Sequence, residues 1–296
     1  MSNQSLLNER LLSLIALIEP LIPKVPPSVD FSECAAFRWV RADQWMPAHL
    51  QPIPRFAAID YQNLVGVEDK IECLRQNTLQ FLHGLPANNV LLTGARGTGK
   101  SSLIKATLTE FADQGLKMVE IDRDALDDLQ KLLTLLSESK ERFIIFCDDL
   151  SFEANDAAYK SLKALLDGSL MNPPENILFY ATSNRRHLLP EYMKDNEQAQ
   201  HDHNGEVHLG DAIEEKISLS ERFGLWLTFY SFSQKDYLNV VKNWLTTLDP
   251  DCHFTPDAER EALQFALLRG SRSGRVAMQF AKSFSGAHQL KNMNKE

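Results

Sequence analysis

The stretch Val90-Leu91-Leu92-Thr93-Gly94-Ala95-Arg96-Gly97-Thr98-Gly99-Lys100-Ser101-Ser102 decides the fold of this chain. It begins as an apolar run, turns through a glycine-rich loop and enters a helical pattern at Lys100. Segment 94–101 fits G-x-x-x-x-G-K-[ST], and the run before it and helix after it supply the context that the motif requires. Glycines here let the backbone curl so that several N–H groups point inward at a β-phosphate. The N-terminus of the following helix adds its partial positive charge. Lys100 is expected at the β- and γ-phosphates, and the Ser101 hydroxyl on magnesium. Gly94, Ala95, Arg96, Gly97, Thr98, Gly99, Lys100, Ser101 and Ser102 are the expected phosphate-binding set.

Outward from this loop the chain alternates regularly. A helical pattern over 67–83 precedes it. Strand 117–122, helix 124–138, strand 143–147, helix 155–168 and strand 177–181 follow, and Leu225 to Tyr230 offers a fifth apolar run. Strands separated by helices imply an α/β fold with a doubly wound parallel sheet covered on both faces. From Ser233 onward the periodicity is helical only. The sequence therefore predicts three regions: an N-terminal helix and proline-rich arm over 1–54, a nucleotide-binding α/β domain over 55–231, and a helical lid over 232–296. In the first region, 6–18 sets Leu7, Leu11, Leu14, Ile15 and Ile18 on one helical face, expected to pack on the main body. Trp39, Trp45 and Phe56, among further prolines, suggest an extended arm anchored by aromatics on the same chain or on a neighbour.

Two carboxylates end the buried strand Phe143-Ile144-Ile145-Phe146-Cys147-Asp148-Asp149. A lone Asp there is usually a turn residue. One βα unit after a phosphate loop, Asp148 is instead the expected partner of magnesium through its water shell. Asp149 stands where a carboxylate orients or deprotonates the attacking water, with Glu153 as a second candidate. Tyr180-Ala181-Thr182-Ser183-Asn184 ends the next strand and would put Asn184 near the γ-phosphate, with Thr182 less favoured. Asn is also a plain turn former at such a junction.

Arginines recur where a second copy could use them. Arg222, in Ser220-Glu221-Arg222-Phe223-Gly224 before the fifth strand, cannot easily reach its own γ-phosphate in a doubly wound fold but could reach a neighbour's. The competing reading is a surface salt bridge with Glu221, worth little. Arg275, in Gly270-Ser271-Arg272-Ser273-Gly274-Arg275, would sit in the first turn of a late helix and fold over the nucleotide. Arg185 and Arg186 are further candidates for contacts between subunits. His201, His203 and His208 lie with Asp202 and Glu206 in an insertion, but their spacing matches no standard ligand pattern.

Composition narrows the classes. The chain of 296 residues carries a formal net charge of −9, which argues against indiscriminate nucleic-acid binding while leaving room for a local basic strip. Charge is uneven: 190–215 holds eight acidic residues and one lysine, whereas 269–295 holds six basic residues and no acidic one. Cys34, Cys73, Cys147 and Cys252 form no paired spacing, so reduced thiols and a cytoplasmic location are expected. No apolar run is long enough to cross a bilayer, and no secretory leader pattern opens the chain.

Taken in order, Asn63-Leu64-Val65-Gly66, GARGTGKS, FCDD, ATSN, SERFG and SGR resemble the AAA+ superfamily of P-loop NTPases. The longer strings GLPANNVLLTGARGTGKSSL, FCDDLSFE, YATSNRRHLLPEYM and EEKISLSERFGLWLTFY resemble a bacterial group of predicted AAA+ ATPases catalogued as a domain of unknown function. The resemblance spans roughly residues 55–285. It implies a five-stranded core with a small C-terminal α-helical lid, ATP and magnesium as cofactors, adenine near Leu64, Val65 and Gly66, and a ring or helical homo-oligomer. One departure stands out: most AAA+ enzymes carry Glu where this chain has Asp149, one methylene shorter.

Three functions compete on these grounds. The first is an oligomeric ATPase that remodels a macromolecular partner, though 124–142 lacks an aromatic–apolar–glycine loop suited to threading polypeptide. The second is a slow switch or loader that touches DNA or an acidic protein through the basic strip. A small-molecule kinase is the third, and it lacks an obvious acceptor pocket. The absence of N-K-x-D disfavours GTP.

Overall fold

Side-chain alternation along short strands builds the centre of the molecule. The structure is a computed structural model and describes residues 10–14, 29–152, 157–167, 174–185, 188, 200–201, 207–208 and 219–293. Its strands are β1 (Ala36–Val40), β2 (His49–Pro52), β3 (Val90–Gly94), β4 (Leu116–Glu120), β5 (Arg142–Cys147), β6 (Ile177–Ser183), β7 (Gln200–His201), β8 (Val207–His208) and β9 (Leu225–Phe229). The helices of the body are α1 (Glu68–Leu82), α2 (Lys100–Phe111), α3 (Leu129–Ser137) and α4 (Ala157–Asp167). They are followed by α5 (Gln234–Leu248), α6 (Pro256–Leu268) and α7 (Gly274–Met293).

The main sheet runs β2-β1-β4-β5-β6-β3-β9, parallel throughout except for the antiparallel β1–β2 edge. Successive residues face opposite sides of a strand. Leu91, Val119, Phe143, Ile145 and Phe179 therefore join a core with α3 and α4. Val90, Leu92, Met118, Ile144 and Phe146 join the other, with α1 and α2. Both faces are covered, as a parallel sheet demands. β3 and β4 are consecutive in sequence but separated in the sheet by β6 and β5. Such a reversal of strand order opens a crevice at the carboxyl ends of the strands.

The five parallel strands expected from the sequence are all present. The arm does more than anchor: β1 and β2 extend the sheet to seven strands. Phe37 is fully buried and Trp39 nearly so, while Arg38 points outward and pairs with Glu120 opposite it on β4 (2.7 Å). Phe31 stacks edge-on against both Phe37 and Phe143. Trp45, by contrast, is 46% exposed. Residues 10–14 are helical, but Leu11, Leu12 and Leu14 are exposed, so this piece does not pack on the body. The rest of the 6–18 pattern lies outside the described residues.

A third core follows the sheet, built from Tyr237, Val241, Leu245, Ala262, Ala277 and Ala281 of α5, α6 and α7. Local signals start its helices cleanly. Ser233 and Asp236 form a reciprocal capping box on α5, and Thr255 caps α6 with Pro256 in its first turn. Among the described residues no helix is long and apolar enough to cross a membrane.

Phe37→Ala measures how much β1 belongs to the core. Truncating a fully buried Phe should cost about 3–5 kcal/mol in urea unfolding of the whole chain. A loss below ~1 kcal/mol would mean that the strand is a detachable arm.

Candidate functional site

The strand order sets the loop after β3 at the carboxyl edge of the sheet, between the ends of β6 and β9. Close contacts force glycine into that loop. At Gly94 (φ 134°) an added Cβ would lie 1.9 Å from the Phe229 carbonyl oxygen of β9. At Gly97 (φ 74°) it would lie 2.8 Å from the Cβ of Ser273, just before α7. At both positions the neighbouring chain approaches too closely for any side chain.

Lys100 begins α2 and is 5% exposed. Its ammonium donates to the carbonyls of Gly94 and Ala95 (both 2.8 Å) and to Asn184 Oδ1 (3.0 Å), which uses all three protons. Burial lowers its pKa, and Asp148 and Asp149 oppose that shift. The ammonium is thus held at the loop by weak, exchangeable acceptors, ready to turn toward a more strongly charged one.

Ser101 Oγ donates to Asp148 Oδ1 at 2.6 Å, so the two residues expected to serve magnesium lie in direct contact. Thr182 Oγ1 donates to the same carboxylate oxygen at 2.5 Å and accepts from the Asp149 backbone N–H at 3.0 Å. Thr182, second choice in the sequence, is therefore the residue that fixes both aspartates. A hydroxyl, two carboxylate oxygens and room for water make an oxygen donor set of the kind that hard divalent cations prefer.

Asp149 has φ 54°, the one positive value outside glycine among the described residues. Asp tolerates this left-handed region better than most side chains. The turn aims its carboxylate back along the crevice, where Asn184 Nδ2 donates to it at 2.5 Å and an Arg96 guanidinium nitrogen lies 3.9 Å away. Asn184 consequently bridges Lys100 and Asp149, one amide end to each. Glu153, the second candidate base, lies outside the described residues.

A cleft of about 520 Å³ opens beside these groups, between the sheet and the third core. Arg96 through Ser102, Asp148, Asp149, Asn184, Leu64, Val65 and Arg275 all line it. Gly66 turns the chain nearby (φ 79°) without lining it, and Gly94 and Ala95 contribute only their carbonyls to Lys100. Ile59, Phe232, Val240, Trp244 and Met278 are among the cleft's other lining residues, and no sequence signal marks them. Phe232 and Trp244 were legible only as lid aromatics, since nothing local marks which face they turn to the cleft. The Gly274 N–H donates to the Gly97 carbonyl at 2.7 Å, tying the start of α7 to the loop. Arg275 is the second residue of that helix.

Arg222 is not among the lining residues. It sits just before β9, whose first residue Leu225 pairs with Val90 at the start of β3, the end opposite the phosphate loop. Five residues of strand, at ~3.3 Å each, separate it from that loop. Arg185 donates to the Phe152 carbonyl at 3.3 Å; Arg186 is outside the described residues. His201 and His208 fall on the β7–β8 pair, while His203, Asp202 and Glu206 lie outside the described residues.

Residues 32–288 match the family model described as "Protein of unknown function (DUF815)". The chain belongs to the DUF815 family. Comparison with curated proteins finds no match. Among solved structures, the Aeropyrum pernix Orc1 protein in complex with DNA matches with TM-score 0.52 at 15% identity, over 78% of the DUF815 chain and 63% of Orc1. A single-site variant of Thermotoga maritima RuvB gives TM-score 0.50 at 18% identity, over 76% of this chain and 65% of RuvB. The RuvB described as a Holliday junction branch migration motor gives 0.48 at 17% identity, over 73% and 60%. This chain spans less than two thirds of the length of each. At these identities the likeness concerns the fold: a RuvB-like AAA+ fold, with a mostly parallel mixed sheet and C-terminal helices.

Thr182→Val removes one hydroxyl and orphans the acidic pair it anchors. The expected loss is about 1–3 kcal/mol of unfolding free energy. Stability within a few tenths of the parent protein would remove Thr182 as the anchor.

Proposed function

We propose that this DUF815 protein is an AAA+ ATPase that binds and hydrolyses MgATP at an interface between its own copies, using the cycle to remodel or load a macromolecular partner. The observation that carries this reading is the convergence of Lys100, Ser101, Asp148, Asp149 and Asn184 on one crevice, each bonded to another of the set. Magnesium, held there by Ser101 and Asp148, would supply charge neutralisation at the transferred phosphoryl group.

The chain's own residues divide the rest. Loop amides of 94–101 and the α2 N-terminus cradle the β-phosphate, and Lys100 exchanges its carbonyl acceptors for phosphate oxygens. Ser101 and Asp148 would hold the metal through its water shell. Asp149 orients the attacking water or takes its proton, and Asn184 positions that water against the γ-oxygens. Leu64 and Val65 supply an apolar seat for adenine. Arg275 reads the nucleotide from the lid side. The Gly274–Gly97 bond passes the state of the loop into the angle of α7. Arg222, remote from its own loop, neutralises developing charge at the nucleotide of a neighbouring copy, where such arginines contribute roughly 10³–10⁵ in rate.

A second reading, a switch or loader with slow turnover, draws support from Asp149. Its carboxylate is short, and it is engaged by Asn184 and faced by Arg96. In that case binding outlasts chemistry. The basic strip from Arg269 then offers a surface for DNA or an acidic protein, with a salt-dependent affinity.

Lys100→Ala should abolish ATP binding in calorimetry or weaken it severely, and unchanged affinity would contradict the assignment. Asp149→Asn should bind ATP normally while phosphate release stops; full turnover would move the base elsewhere. Arg222→Ala should also bind but not hydrolyse. Mixing it with Lys100→Ala should restore part of the activity, whereas mixtures as inert as either variant alone would argue that the site is complete within one chain.

A further inference from the structure

Away from the cleft, Asp249, Cys252 and His288 bring one carboxylate, one thiol and one imidazole together, their ligand atoms all within 4.8 Å of one another. They come from three pieces of chain. Asp249 ends α5, Cys252 lies in the turn toward α6, and His288 stands on α7. Asp249 and Cys252 are 5% and 6% exposed, while the His288 side chain is 34% exposed and leaves a path from solvent. The turn is already tight, with the Cys252 N–H donating to the Asp249 carbonyl at 3.0 Å and His288 Nδ1 lying 2.8 Å from Asp249 Oδ2.

We propose that Asp249, Cys252 and His288 form a binding site for a divalent transition-metal ion, zinc by preference, that pins the distal end of the lid. The donor set decides the class. A thiolate sulfur and an imidazole nitrogen select zinc-like ions over magnesium or calcium, which take all-oxygen sites. Three protein ligands leave a fourth tetrahedral position for water, on the side that His288 leaves open. Zinc bonds of about 2.0–2.3 Å require ligand atoms about 3.3–3.8 Å apart. To reach that spacing the His288 and Asp249 atoms, 2.8 Å apart, must separate slightly, while no pair has to close from more than 4.8 Å.

Electrostatics favour the same occupant. The ligating form of Cys252 is the thiolate, so binding is coupled to loss of the thiol proton. A divalent cation displaces that proton into solvent. The resulting thiolate and carboxylate balance the ion's two charges, so no net charge is buried. The C-terminal end of α5 adds its negative partial charge beside the ion.

Position gives the site a use. Val240 and Trp244, in the middle and second half of α5, and Arg275 and Met278, in the first turns of α7, line the cleft. The triad lies at their far ends, about 15 Å beyond Met278 along α7 at ~1.5 Å per residue. A metal there makes α5 and α7 one lever, so that a change at the loop turns both. The inference stands on the triad alone and does not depend on what the cleft binds.

Cobalt titration of the full-length, chelator-treated, reduced protein tests it by absorption spectroscopy. One cobalt per chain should appear with a thiolate-to-cobalt charge-transfer band, and equimolar zinc should displace it. Cys252→Ala should lose the band, and Cys73→Ala, which alters the exposed cysteine, should keep it. His288→Gln, at a half-exposed position that tolerates the change, should weaken cobalt by about 10–100-fold or more. No charge-transfer band in the parent protein, a band that survives Cys252→Ala, or unchanged affinity in His288→Gln would each overturn the proposal.

Discussion

The ammonium of Lys100 is where this structure comes together. It joins the end of β3, the first turn of α2 and, through Asn184, the end of β6. A buried ammonium is costly unless all its protons are used. Here two loop carbonyls and an amide use them, so the loop closes around its own lysine. The same three acceptors define the direction in which the lysine can turn. Any stronger anion entering the crevice competes with neutral carbonyl oxygens alone, one of them the side-chain amide of Asn184, which also bonds Asp149. These groups stand at the ends of three adjacent strands, β5, β6 and β3, so their convergence depends on that order.

A second constraint couples the loop to the helices beyond it. Gly97 and Gly274 meet backbone to backbone, with Ser273 packed where a side chain at 97 would stand. Contact this close fixes the start of α7 against the glycine loop. Arg275, next in sequence, inherits that geometry. The cleft is therefore shared between the sheet and the third core, and its shape depends on their relative angle. Asp149 adds local strain at the same place through its left-handed backbone, and strain of this kind persists only where surrounding bonds hold it.

Much of this was legible in the sequence, for definable reasons. The phosphate loop, the Asp148–Asp149 strand end and Asn184 announce themselves because their chemistry requires particular residues at fixed spacing. The five core strands show as apolar runs because both faces of a parallel sheet are buried. β1 and β2 were hidden: strands of five and four residues among prolines leave too short an alternation to distinguish from an extended arm. Thr182 reads as a weaker candidate than Asn184 because a strand-end hydroxyl has no signature; only the register β6 takes beside β5 shows that it faces Asp148. The lid wall was illegible for a related reason, since helical periodicity gives a buried face but not what that face covers. Asp249, Cys252 and His288 escape motif reading altogether. The histidine lies on a different helix, and only the packing of α7 on α5 brings it near.

The central claim concerns residues 94–101, and a structure determined with magnesium and a non-hydrolysable ATP analogue examines it most directly. The account predicts the triphosphate wrapped by that turn, with Lys100 Nζ released from the Gly94 and Ala95 carbonyls onto phosphate oxygens and the metal beside Ser101 and Asp148. An analogue absent at saturating concentration, or seated elsewhere while Lys100 keeps its carbonyl partners, would contradict it.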